Sequence, residues 1–232
     1  MKRIMIPTAA VLVALLLSSF SLVLLRADDV RDLAPFDGVG IAINADVFYT
    51  QGNKHEIRIE GDESDIRDLI TEVKDGFLQV KYENWRIRHS KLTLYITSKE
   101  LESVRVSGSA DFMVEKPLVS DEMELGLSGS GNIRFSELNS DEVDVKISGS
   151  GSAEIDAGSA DEIDIKISGS GKCMAEGFEV SECDVAISGS GNVRIGVKDE
   201  LDAKLSGSGK VYYRGNPRVN SVASGSGKVV AL

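Results

Sequence analysis

Ser148-Gly149-Ser150-Gly151, followed by Ser168-Gly169-Ser170-Gly171 and Ser188-Gly189-Ser190-Gly191, is the stretch whose reading decides the fold. The same tetrapeptide begins at Ser128, Ser206 and Ser224, and a variant, Ser-Gly-Ser-Ala, begins at Ser107. Successive starts lie 21, 20, 20, 20, 18 and 18 residues apart. A fixed period of this length marks stacked repeats. Flexible linkers also use serine and glycine, but they do not alternate with patterned strands at constant spacing.

Two apolar alternations fill each interval. One is short, as in Ile133-Arg134-Phe135 and Ala153-Glu154-Ile155. The other is longer, as in Val143-Asp144-Val145-Lys146-Ile147 and Ile163-Asp164-Ile165-Lys166-Ile167. Period-two alternation of β-branched residues means strands with one dry and one wet face. Each repeat could be a coil of a parallel β-helix or a hairpin of an antiparallel meander. Leu138-Asn139-Ser140 and Ala157-Gly158-Ser159 supply turn chemistry for the meander. The coil fits better. Twenty extended residues run roughly 65 Å, enough to wrap a thin core. The same residue types also recur at the same repeat position, as ladders of like on like require. The fold class is therefore all-β, a parallel β-helix of Ser-Gly-Ser-Gly repeats over residues 107–232. Alternation carried through the motif places Ile147, Gly149, Gly151 and Ala153 inward, with Ser148 and Ser150 outward.

Residues 1–27 read as an export signal. Lys2 and Arg3 precede an apolar run, and Leu25-Arg26-Ala27 offers a cut before Asp28-Asp29. The alternative is an uncleaved N-terminal anchor, since the run approaches the roughly 20 residues that span a bilayer. Residues 34–106 are less regular and hold most of the aromatics, among them Phe36, Tyr49, Phe77 and Trp85. A stacked repeat needs a covered end. This segment is expected to be an N-terminal β-rich cap with the opening coils. The leader carries three basic residues (Lys2, Arg3, Arg26) and no acidic one, so the remainder has a charge of 26 − 3 − 37 = −14. Such a chain repels nucleic acid.

A specific order of motifs runs through the chain. Phe36-Asp37-Gly38-Val39 leads to Gln51-Gly52 and Ile57-Arg58-Ile59-Glu60-Gly61. Then come Gly76-Phe77-Leu78-Gln79-Val80, Ile96-Thr97, Leu101 and the Ser-Gly repeats. Over residues 34–215 it resembles the putative auto-transporter adhesin head GIN domain family of exported bacterial proteins. The resemblance implies a right-handed parallel β-helix. It brings no catalytic residues, and the chain has no separate translocator barrel.

Constellations that could carry chemistry fail on spacing. Gly-Ser-Gly-Lys at 169–172, 207–210 and 225–228 lacks the earlier glycine, the following Ser/Thr and the helix of a phosphate loop. Ser130 has glycines as immediate neighbours, not two residues away as in a nucleophile elbow. The two histidines, His55 and His89, read as surface residues. No catalytic, cofactor-binding or metal-ligating residue is assigned. Cys173 and Cys183 sit at repeat positions held earlier by Ile133 and Val143, so both are expected inside. They are either a disulfide formed in an oxidising compartment or two buried thiols. Glu124, Asp144, Asp164, Asp184 and Asp202 form one column of acids, and Asp121-Glu122, Asp141-Glu142 and Asp161-Glu162 a second. Lys146, Lys166 and Lys204 beside them offset the repulsion; divalent cations are the sharper alternative.

The function expected is that of a non-catalytic protein of the periplasm, envelope or cell surface, structural or adhesive. Its outward serines and Tyr212-Tyr213 are candidates for contact with a surface glycan or an envelope protein. Tyr213 would be core by parity with Ile195. The alternatives are a polysaccharide-active β-helix enzyme and an envelope sensory or assembly module. The enzyme would show a break in the repeat with a long loop. Contact with a membrane is expected only if the N-terminal segment stays uncleaved. The last repeat stops at Val229-Val230-Ala231-Leu232 without a charged cap, so end-to-end self-association is expected.

Overall fold

The computed structural model describes residues 27–83 and 89–232. The segment read as an export signal or anchor, apart from Ala27, and Trp85 lie outside the described residues. Ahead of the repeats come β1 (Ala27–Asp32), β2 (Gly38–Ile41), β3 (Ala45–Gln51), β4 (Glu56–Gly61), α1 (Glu63–Asp68), β5 (Leu69–Lys74), β6 (Phe77–Tyr82) and β7 (Leu92–Ser98). The rest forms β8 (Ser103–Gly108), β9 (Asp111–Val114), β10 (Leu118–Gly129), β11 (Asn132–Phe135), β12 (Leu138–Gly149), β13 (Ser152–Ile155), β14 (Gly158–Gly169), β15 (Lys172–Gly189), β16 (Asn192–Gly207), β17 (Lys210–Arg214), β18 (Arg218–Gly225) and β19 (Lys228–Ala231).

The repeats are coils of a parallel β-solenoid, not hairpins. Val143 faces Ile163, Ile147 faces Ile167 and Ser148 faces Ser168, all in parallel register. The long strands form one ladder, β8-β10-β12-β14-β15-β16-β18. The short strands form another, β9-β11-β13-β15-β16-β17-β19. Inward positions are aliphatic because each strand buries every second residue. Val143, Val145 and Ile147 are buried, as are Ile163, Ile165 and Ile167. Full burial of each such side chain stabilises by about 1.5–3 kcal/mol.

The corners join the ladders. The carbonyl of Gly129 accepts the N–H groups of Ser150 (2.9 Å) and Gly151 (3.1 Å) one coil on. Gly108 and Gly189 accept both N–H groups in the same way, while Gly149, Gly169 and Gly207 accept the serine N–H of the following coil. The first glycine of each motif does not point inward as strict alternation predicts. Gly149 has φ +125°, and a Cβ there would lie 2.5 Å from the Gly129 carbonyl oxygen of the coil beneath. It faces along the solenoid, towards its own counterpart. The second glycine, Gly151, is buried, and Ser148 and Ser150 are exposed.

The N-terminal part does not stack in chain order. The coil β2-β3 lies between β6-β7 on one side and β8-β9 on the other. Beyond it, β4 pairs antiparallel with β7, β1 with β4, and β5 with β6. The helix α1 crosses this end with Ile66 buried beneath it. Arg31 clasps it: its guanidinium donates to the carbonyls of Ile66 (2.9 Å) and Leu69 (2.9 Å) and to Thr71 Oγ1 (3.0 Å). One core runs from Phe36 to Val211 without a break at residue 106.

Gly149→Ala combines a left-handed φ with a backbone clash, and is expected to lower the unfolding free energy by about 1–3 kcal/mol. Ser150→Ala, on an exposed side chain, should change it by less than about 0.5 kcal/mol. Denaturant midpoints of the two variants check this.

Candidate functional site

The outward face of the long-strand ladder is a grid of four rows, because residues two apart on a strand share a face. One row is glutamate: Glu122, Glu142, Glu162, Glu182 and Glu200, ending at Arg218. The next is Glu124, Asp144, Asp164, Asp184 and Asp202. The third runs Arg105, Gly126, Lys146, Lys166, Ala186, Lys204 and Val222. The last is serine, from Ser107 to Ser224.

Between the basic and serine rows lies an axial groove of about 1040 Å³, lined by residues such as Arg105, Lys146, Lys166, Lys204 and the outward serines. It crosses seven strands, six steps of about 4.8 Å and so roughly 29 Å of axis. Tyr212 does not join it: it stands on the short-strand ladder, with the Arg194 guanidinium 5.1 Å from its ring centre. Tyr213 faces Ile195 in register and packs partly buried against the core.

Cations beside the acid rows do much of the neutralising. Lys146 Nζ lies 3.1 Å from Asp144 and 3.4 Å from Glu124, and Lys166 Nζ lies 2.8 Å from Asp164. Arg105 bonds Glu124 at 2.7 Å, and this hydrogen bond, ahead of the opposing burial, holds the Glu124 carboxyl below its usual range. Among the described residues Lys204 makes no such pair. Ala186 breaks the basic row, and beside this gap the carboxylates of Glu162, Asp164 and Asp184 lie within 4.8 Å of one another. Burial, then Glu142 and Asp164, push the Glu162 carboxyl above its usual range. These are exposed or half-exposed acids in a regular row, and on their own they do not make a metal site.

Cys173 stacks between Ala153 and Val193, and Cys183 between Ile163 and Leu201. Both are buried thiols in the structure. Burial pushes Cys173 up to about 12 and Cys183 well above its ordinary value.

His89 is not a surface residue. Its side chain is 8% exposed, its Nδ1 lies 3.0 Å from Asp65 Oδ1, and its ring stacks 3.5 Å above Tyr82. Burial raises the Asp65 carboxyl, but the bonds from His89 and the Ser90 N–H outweigh it and hold the group below its ordinary value. Asp65 carries no readable signal in the sequence, because a charged residue in a short helix reads as solvated. His55 is half-buried, its Nδ1 accepting the Phe36 N–H at 3.3 Å.

The family described as "Putative auto-transporter adhesin, head GIN domain" matches residues 35–217. The chain belongs to this family. No curated protein matches it. The fold is shared with a putative adhesin from Bacteroides fragilis NCTC 9343, 21% identical, with a TM-score of 0.85 over 89% of this chain and 97% of that one. A putative adhesin from Parabacteroides merdae ATCC 43184 is 27% identical, TM-score 0.73, over 89% and 96%. A putative lipid binding protein from Parabacteroides distasonis ATCC 8503 is 23% identical, TM-score 0.74, over 89% and 96%.

Ala186→Lys should close the gap in the basic row and stabilise the fold by about 0.2–1 kcal/mol, an effect that shrinks as salt is added. Thermal melts at low and high ionic strength read it. Cys173 and Cys183 should resist alkylation in the folded protein and label fully only after unfolding with reductant, as followed by mass.

Proposed function

We propose that this protein is a non-catalytic, exported surface-binding module, and that its axial groove holds a linear surface glycan laid along the solenoid. The observation that carries this is the groove itself. It offers a hydroxyl on every coil along one wall and, along the other, the alkyl stems of Lys146 and Lys166, whose amines turn back to the acid row, and the Lys204 side chain, at a rise of about 4.8 Å, close to the length of one sugar unit. Such a surface repeats its contacts as a polymer repeats its units, and many weak contacts add along it. The acid rows beside it favour a neutral chain over a polyanion.

The membership in an adhesin family and the likeness to adhesin structures support a binding role. A polysaccharide-cleaving role is less well supported. Its carboxylates would stand as a pair in a cleft, whereas here they form open rows. Among the described residues of the Ser-Gly repeats, the register shifts at Ala175/Glu179 and Val180/Glu182 accompany a shortening of the repeat and insert no long loop. The leader at residues 1–27 supports delivery to the periplasm, envelope or exterior.

Ser168→Trp places an indole in the middle of the groove from an exposed position. On immobilised cell-wall and surface glycans, the unaltered protein should be retained by a linear neutral polysaccharide, and this variant at least tenfold more weakly. Retention by no glycan, or equal retention of both proteins, overturns the reading.

A further inference from the structure

The two ends of the solenoid differ in charge. Asp202 is the last acidic residue; residues 203–232 hold Lys204, Lys210, Arg214, Arg218 and Lys228 and no Asp or Glu. At the other end, β1, β4 and α1 together carry eight acidic and three basic side chains. On a chain of net charge −11, the rod is therefore negative at its N-terminal end and positive at its C-terminal end.

They also differ in cover. The N-terminal core is closed by α1 and the Arg31 clasp. At the C-terminal end, β18 and β19 pair on one side only among the described residues. Their outer N–H and C=O groups form an open sheet edge. Val222 is 71% exposed, Val230 38% and Leu232 54%, while Val219 and Val229, at inward positions, are only partly covered.

Strand direction makes the ends compatible. β19 belongs to the ladder that begins with β1 and β4. β1 is antiparallel to β4 and β4 to β7, and every later pair on that ladder is parallel. β1 and β19 thus run the same way, and a copy shifted along the axis offers its β1 edge to β19 in parallel.

We propose that the open, basic C-terminal end receives the acidic N-terminal end of a second copy, with β19 pairing to β1, so that rods join head to tail. Charge selects this over the symmetric alternative. Tail-to-tail pairing would set this cation-rich end, in which Arg218 has a carboxylate partner in Glu200 and no acid follows Asp202, against its own copy, where like charges repel. A head-to-tail contact is heterologous and does not close, so the product is a chain of rods rather than a dimer.

Light scattering on the chain as the cell makes it should show mass growing past the dimer with concentration at low salt, and falling back towards monomer at high salt. Lys228→Glu should weaken this growth severalfold. Val30→Cys and Val230→Cys, both at exposed positions, locate the contact. Oxidation of the two single variants mixed together should link one to the other, while neither links to itself. Linkage of V230C to itself, or a monomer at all concentrations and salts, overturns the proposal.

Discussion

The fold depends on a column of glycine backbones. At each corner the first glycine's carbonyl accepts the next coil's serine N–H, and the glycines approach so closely that no Cβ fits between them. Only a residue without a side chain, and free to take φ near +120°, can be repeated there coil after coil. Once the corners stack in register, the strands leaving them are in register too. Valine then meets isoleucine inside, and acid meets acid outside.

That second consequence is a cost. A helical or antiparallel surface can stagger its charges; a parallel solenoid lines them up about 4.8 Å apart. Rows of one sign are tolerable only beside rows of the other. Lys146 and Lys166 lean back by two residues to the aspartates of their own strands. Exposed pairs of this kind add little stability on their own; their effect is to offset a repulsion the register imposes. The groove is a product of the same rule. Long basic side chains stand in one row and short serines in the next, and a trough runs between them for as long as the repeat holds.

The repeating half was legible in the sequence because each coil restates the same pattern, so Val143, Ile163 and Cys183 could be placed inside by position alone. The N-terminal half was legible as strands but not as a stack. Nothing local in β2 and β3 says that β6 and β7 will return to cover one side of them and β8 and β9 the other; that pairing is a tertiary choice between edges of similar composition. The serine row could be read as outward, but the groove beside it could not, since it exists only when several coils are superposed. His89 was misjudged because its burial depends on contact with Asp65 across 24 residues of chain. The direction of Gly149 was missed because simple alternation ignores the turn in the backbone that a positive φ allows.

The shortening of the repeat shows which part of a coil is fixed. Between β15 and β16 the interval falls from 20 to 18 residues, yet Ser188 still faces Ser206 and Gly189 faces Gly207. The change is absorbed elsewhere: residues 176–178 have no counterpart between Ile195 and Gly196, and Lys198 and Asp199 stand opposite Ser181 alone. The three residues lost at one place and the one gained at the next leave Val180 facing Val197 and Cys183 facing Leu201, so the inward set stays inward on both sides of the change. The coil can therefore be trimmed on the side away from the Ser-Gly corner, and the rows of the outer face, which are anchored to that corner, continue unbroken past the site of the change.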